Sequence, residues 1–378
     1  MKKVIFALAA VVALAACSQE DVIVADKGAA IGFDTFVENS TRSVYDPSYT
    51  NAKPFANFGV FGTVSKSGTA LIFNNVEVTG EGVGANANWS YAPEFTQYWI
   101  ADAKYNFAAV APQTVKVDGV DTPVYTNASY SVTSSEVENK IVYTGTTTLS
   151  FANNGKIDLL YAEATAEGKA GSGNAERSAN GKVGFNFRHV LSKVKFSFKN
   201  EYNASNATIR VENVKITDAY KTADAVLNAA TNWSNQATAQ DFVLDFGNAA
   251  VESATAKEPF ANGGTVESYN ELLMIPGAGA TTYTINGVES QVYTITFDVV
   301  LLVSGKEIDK YEHTIYTTFV PEAGMRYNLK AVIKPENIDP EHSQEPILFT
   351  VNEINDWDNG NTKDSDDTDT ENDYYPLN

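Results

Sequence analysis

The chain holds 378 residues, with 47 acidic against 27 basic side chains, a formal charge of −20 and one cysteine. That charge excludes nucleic acid as a partner, because such affinity comes from neutralising phosphates with Lys and Arg. One cysteine excludes an intramolecular disulfide, and the length exceeds what a single core keeps filling, so two domains are expected.

Lys2 and Lys3 form a basic n-region ahead of the apolar run 4–13, and Leu14-Ala15-Ala16-Cys17 closes it as a lipoprotein cleavage site. The run is too short to span a bilayer, which needs roughly 20 residues. Residues 1–16 therefore read as a signal peptide, Cys17 as the lipidated residue and 17–30 as a polar tether. Cleavage removes both lysines and takes the charge from −20 to −22.

Ordered sequence begins at Ile31, where Ile31, Phe33, Thr35 and Val37 alternate onto one strand face. Turn chemistry then separates strand from strand. Asp118-Gly119, Asn286-Gly287 and Ser304-Gly305 each sit between alternating runs and predict two-residue hairpins. Residues 95–103 and 219–230 read as two short helices, neither capped at both ends. Thr, Val, Tyr and Phe dominate elsewhere, which predicts an all-β, sandwich-like fold.

A stretch of Ala, Gly, Ser and Asn at 165–182 has no apolar period. It divides an N-terminal domain, 31–180, from a C-terminal domain, 181–360, or forms a long hairpin loop. Phe185, Phe187 and Leu191 share odd parity, whereas Val194, Phe196 and Phe198 share even parity. A strand switches faces only through a bulge or break, so one is expected near His189–Ser192. Residues 361–378 carry six acidic groups between Asp364 and Asp373 and read as a disordered acidic tail.

Catalytic chemistry finds little footing. Carboxylates are abundant, but no spacing singles out a glycosidase pair. His189, His313 and His342 lack metal-ligand spacing, and no G-x-S-x-G elbow exists. The Asp364, Asp366, Asp369 series lacks the glycine and terminal glutamate of a calcium loop. The chain reads as a non-enzyme with no cofactor and no metal. Trp89, Trp99, Trp233 and Trp357, with the 19 tyrosines, read as core or strand-surface aromatics, or as the stacking platform of a surface glycan-binding lipoprotein.

A series of phrases runs in order along the chain: the Cys17 lipobox, Ile31-Gly32-Phe33, Thr41-Arg42 and Phe58-Gly59-Val60-Phe61-Gly62. Trp89-Ser90-Tyr91, Tyr98-Trp99, Tyr105-Asn106-Phe107, Asp158-Leu159-Leu160-Tyr161 and Phe185-Asn186-Phe187-Arg188-His189 follow. Leu273-Met274-Ile275-Pro276, Gly324-Met325-Arg326-Tyr327 and Ile354-Asn355-Asp356-Trp357 complete it. On packing grounds alone the aromatic positions fill a core and the Gly and Pro positions make turns. Together and in this order, the phrases resemble the bacterial fimbrillin family of type V pili.

The resemblance implies two tandem transthyretin-like β-sandwich domains, delivery as a lipoprotein to the outer membrane surface, and assembly into a fimbrium. Its partners would be other pilin subunits through strand exchange, the outer membrane through the lipid, and host or bacterial surface ligands. It implies protease cleavage after Arg42, which makes Ile31, Phe33 and Val37 the face of a removable strand. The donor strand would then be Ile347, Phe349 and Val351, unless the chain is a tip or anchor that donates nothing.

Overall fold

A computed structural model describes residues 29–37, 55–81, 88–138, 140–169, 181–244, 259–268, 271–285, 287–338, 347 and 349–356. Cys17, Arg42, His342, Trp357 and the acidic tail lie outside them. Strands make up 71% of the described residues and no helix reaches seven residues, so the protein is all-β and built of packed sheets.

The first half of the chain forms β1 (Gly32–Val37), β2 (Asn57–Ser65), β3 (Thr69–Glu81), β4 (Asn88–Tyr91) and β5 (Lys104–Ala111). After these come β6 (Thr114–Val117), β7 (Val120–Pro123), β8 (Tyr125–Val137), β9 (Lys140–Ala152) and β10 (Leu160–Glu167). The second half begins with β11 (Lys182–His189), β12 (Ser192–Asn200), β13 (Ala207–Leu227), β14 (Thr231–Val243), β15 (Phe260–Ala261) and β16 (Thr265–Glu267). It continues with β17 (Leu272–Met274), β18 (Thr281–Ile285), β19 (Val288–Val303), β20 (Lys306–Thr317), β21 (Met325–Ile333) and β22 (Phe349–Asp356).

One sheet runs β1-β11-β10-β5-β2-β3-β4, and it curls so that its inner face encloses an aromatic core. Its other face, through Phe61, Ala108, Val110 and Tyr161, packs on Leu149, Phe151, Ala223, Ala225 and Leu227 of β9 and β13. That is why β5 is buried on both faces and runs continuously apolar from Phe107 to Ala111 rather than alternating. A third core lies between β12, β21 and β22 on one side and β13, β19 and β20 on the other.

Strand β13 joins the halves. Its first part pairs with β19, Ala207 opposite Val303, and its last part pairs with β9, Leu227 opposite Thr147. Strands β8 and β9, from the first half, therefore belong to the same hydrogen-bonded sheet as β19 and β20. Strand β11 hydrogen-bonds in the first sheet and β12 in the third core's sheet, with the chain passing between them at Val190 and Leu191. The parity change read from the sequence falls at that passage.

Two helix expectations fail. Residues 219–227 continue β13, with Ala219, Ala223, Ala225 and Leu227 buried, because pairing by β9 on one side and β14 on the other outweighs the helix preference of alanine. Pro93–Phe95 form one 3-10 turn, and the residues after it follow the start of the chain instead: Trp99 N donates to Ala29 O at 3.1 Å.

The turn chemistry holds where it is described. Asp118 and Gly119 take φ of 49° and 81°, and Ser304 and Gly305 take 53° and 77°, the left-handed pairs a tight hairpin needs. Gly59 and Gly62, by contrast, are not in turns. They lie inside β2, where a Cβ on Gly59 would meet the Asn75–Tyr125 hydrogen bond and one on Gly62 would meet the rings of Phe107 and Phe73.

Candidate functional site

Strand β1 is the first feature that its surroundings single out. It lies at the edge of the first sheet, parallel to β11, with Gly32 opposite Lys182 and Val37 opposite Phe187. Ile31 and Phe33 are each 1% exposed and Thr35 is fully buried, so the alternation read from the sequence is the buried face. Asp34 and Phe36 take the other parity, and Lys182 Nζ pairs with Asp34 Oδ1 at 2.9 Å on the solvent side.

Phe33 sits at the centre of the aromatic core. Its ring stacks on Phe185 of β11 at 5.7 Å. It also meets Phe58 of β2 at 6.4 Å, Phe73 of β3 at 5.4 Å, Tyr91 of β4 at 5.7 Å and Phe107 of β5 at 6.2 Å. An edge strand thus supplies a ring that touches five other strands, which is possible because the sheet curls β4 round to face β1. Just before the strand, Ile31 N donates to Gln97 O at 2.8 Å and Tyr91 Oη donates to Ile31 O at 2.6 Å. Burial pushes the Tyr91 hydroxyl up from its ordinary pKa, so it stays a donor through the neutral range.

The second feature is β22 at the other end of the chain. It pairs antiparallel with β21, Ala331 opposite Phe349, and forms the edge of its sheet. Ile347 and Phe349 are each 1% exposed. Phe349 meets Phe196 at 5.5 Å, Phe198 at 5.7 Å and Phe297 at 5.8 Å. The strand expected as a donor therefore fills its own core here. Val351 pairs with Leu329 in the same ladder.

The histidines are built into packing. His189 Nδ1 lies 2.6 Å from Asp158 Oδ2, both buried where the chain leaves the first sheet. Its neighbour Arg188 donates to Thr231 Oγ1 at 2.7 Å and to the carbonyl of Asn228, and lies 5.2 Å above the Tyr161 ring. The phrases around Asp158 and Arg188 thus meet at the contact between the sheets, a role their sequence spacing does not reveal.

His313 stacks on Phe297 at 5.2 Å, and burial lowers its pKa from 6.5 to about 4, with Asp298 opposing the shift. The group is neutral in the fold and charges more readily unfolded, so stability is whole above about pH 6.5 and falls as pH drops towards 4. The loss expected over that window is about 3 kcal/mol, and His313→Leu should remove most of it in acid-to-neutral denaturant titrations.

Trp89 and Trp99 are buried, and half-buried Trp233 donates Nε1–H to Val190 O at 3.0 Å. No two described tryptophans share an open face, so tryptophans do not build a glycan-stacking platform among the described residues.

No curated protein sequence matches the chain. Among solved structures, a Bacteroides uniformis protein assigned to cell adhesion is similar, at 16% identity and a TM-score of 0.42 over 87% of this chain and 98% of that one. The fimbrial anchor protein Mfa2 of Porphyromonas gingivalis is similar at 13% identity and a TM-score of 0.34, over 87% of this chain and 98% of that one. A fimbrillin-like family model matches residues 41–357, most of the sequence, and the chain therefore belongs to the fimbrillin-like family.

Proposed function

We propose that this chain is an outer-membrane lipoprotein, tethered through Cys17, that serves as a structural and adhesive rather than catalytic subunit of the fimbrium. In this reading a protease cuts after Arg42, β1 leaves with the lipid, and a strand from another pilin subunit fills its place. The observation that supports it is the placement of β1: an edge strand with one strand neighbour among the described residues, whose Phe33 occupies the centre of an aromatic core. Departure would uncover an apolar groove and the open edge of β11, a template for an incoming strand. Each large apolar side chain refilling it contributes roughly 1.5–3 kcal/mol.

The uncut chain is expected to be closed by its own β1. Cut by a trypsin-like protease, it should release the N-terminal segment and bind an added strand peptide or form ladders, while Arg42→Ala stays closed under the same protease. Size-exclusion profiles read the outcome, and an Arg42 bond left intact while other bonds are cut would sink the reading.

Of stalk, tip and anchor, the seating of Ile347 and Phe349 in their own core favours a tip or anchor that accepts a strand and donates none. Cys17→Ala is expected to move the protein from the detergent phase to the aqueous phase. Unchanged partitioning would rule out the lipid.

A further inference from the structure

A sheet edge exposes unpaired backbone N–H and C=O groups, and folded proteins shield edges by charge, brevity or irregularity. Most edges here carry such shields. Strand β20 holds Lys306, Glu307, Asp309, Lys310 and Glu312. Strands β4, β16 and β18 have five residues or fewer. Strand β14 breaks register twice against β13 and takes positive φ at Asn235 and Thr238. Beyond its contact with β4, β3 breaks register twice against β2 and takes positive φ at Asn75.

From Ser129 onward strand β8 lacks these devices; its positive φ, at Asn127, and its one register shift lie before that point. It is 13 residues long and pairs only with β9 among the described residues. After one shift between Thr126 and Ser129, it keeps a regular register from Ser129 opposite Thr148 to Val137 opposite Lys140. It carries no charge from Thr126 to Ser135. The outer part of the β8–β9 ribbon stands clear of the cores, with Val137 51%, Ile141 57% and Val142 43% exposed at its end. Nothing in the ribbon obstructs a strand approaching from the side.

We propose that β8 is a self-association edge, taking up the β8 of a second copy in antiparallel pairing about a two-fold axis near Val132. The run is self-complementary in that arrangement. Ser129 meets Ser135, Tyr130 meets Ser134, Ser131 meets Thr133 and Val132 meets its own counterpart, while Glu136 falls opposite Ala128. No charge opposes a like charge. A chain of net charge −20 repels its copies across most of its surface, so a neutral edge is where two copies can approach. The contact is isologous and joins subunits side by side, independent of any exchange at β1. One strand pair buries less than the roughly 1,200 Å² of a stable interface, so the dimer is weak and depends on concentration. Subunits held close together along a fimbrium would form it far more readily.

The test is sedimentation equilibrium on the full chain carrying Cys17→Ala, so that no lipid drives association. The expected result is a reversible dimer at high concentration. Val132→Lys and Val132→Glu, which set like charges face to face, should each weaken it at least tenfold, and a one-to-one mixture of the two should restore it. Melting curves matching the parent show that the variants fold. Thr133→Lys, whose two copies face each other on the diagonal across the axis, should weaken the dimer in the same direction if position 132 does not accept a charge. The proposal is overturned if the parent stays monomeric up to about 1 mM. It is also overturned if the dimer is indifferent to these charges, if the mixture recovers nothing, or if only a strand of unrelated sequence binds the edge.

Discussion

Phe33→Ala is expected to cost about 3–5 kcal/mol, the usual penalty for deleting a buried phenylalanine and leaving part of its cavity. The upper half of that range applies because the ring loses its contacts with Phe58, Phe73, Tyr91, Phe107 and Phe185 together. Aromatic pairs add about 0.5–1.5 kcal/mol beyond area. A domain's whole stability is about 5–15 kcal/mol, so the variant should melt roughly 10 °C or more below the parent. It should also lose protection of the β1 amides in hydrogen exchange before those of β5. Phe36→Ala on the same strand is the control: its ring is half exposed over Gly184, and it should cost under about 1 kcal/mol. Equal effects for the two would mean that β1 is not seated as described.

Phe349→Ala at the opposite end of the chain carries a similar expected cost, about 3–5 kcal/mol, for the same reason. Its ring closes the third core against Phe196, Phe198 and Phe297. The result bears on function as well as on stability. A strand that belongs at home is part of its own core, so alanine at 349 should lower the denaturant midpoint of the monomer. A strand reserved for donation would leave the monomer unchanged and weaken only assembly. A monomer midpoint within about 0.5 kcal/mol of the parent would overturn the reading that the chain donates no strand and return β22 to the role of a donor.

Both strands carry alternating sequences, and side-chain period alone marks them as half-buried. Ile31, Phe33 and Thr35 alternate with Asp34 and Phe36, and the buried set is the one the pattern names. Asp118-Gly119 and Ser304-Gly305 announce their hairpins because few residue pairs tolerate two positive φ values in succession. These are local properties, carried by side-chain period and backbone sterics.

The all-β class, the buried face of β1, the described hairpins and the change of face between β11 and β12 thus follow from the chain's own pattern. The rest depends on contacts between distant segments. Residues 219–227 are strand because β9 and β14 bracket them, and no local signal carries a pairing made some 75 residues away. Gly59 and Gly62 read as turns in isolation, yet their missing side chains make room for Tyr125, Asn75, Phe73 and Phe107 arriving from other strands. Phe33 reads as one apolar residue among many, and its central place depends on the curl that brings β4 round to β1. Period and turn chemistry act over a few residues, whereas which strand lies beside which is set by the cores that long-range packing closes.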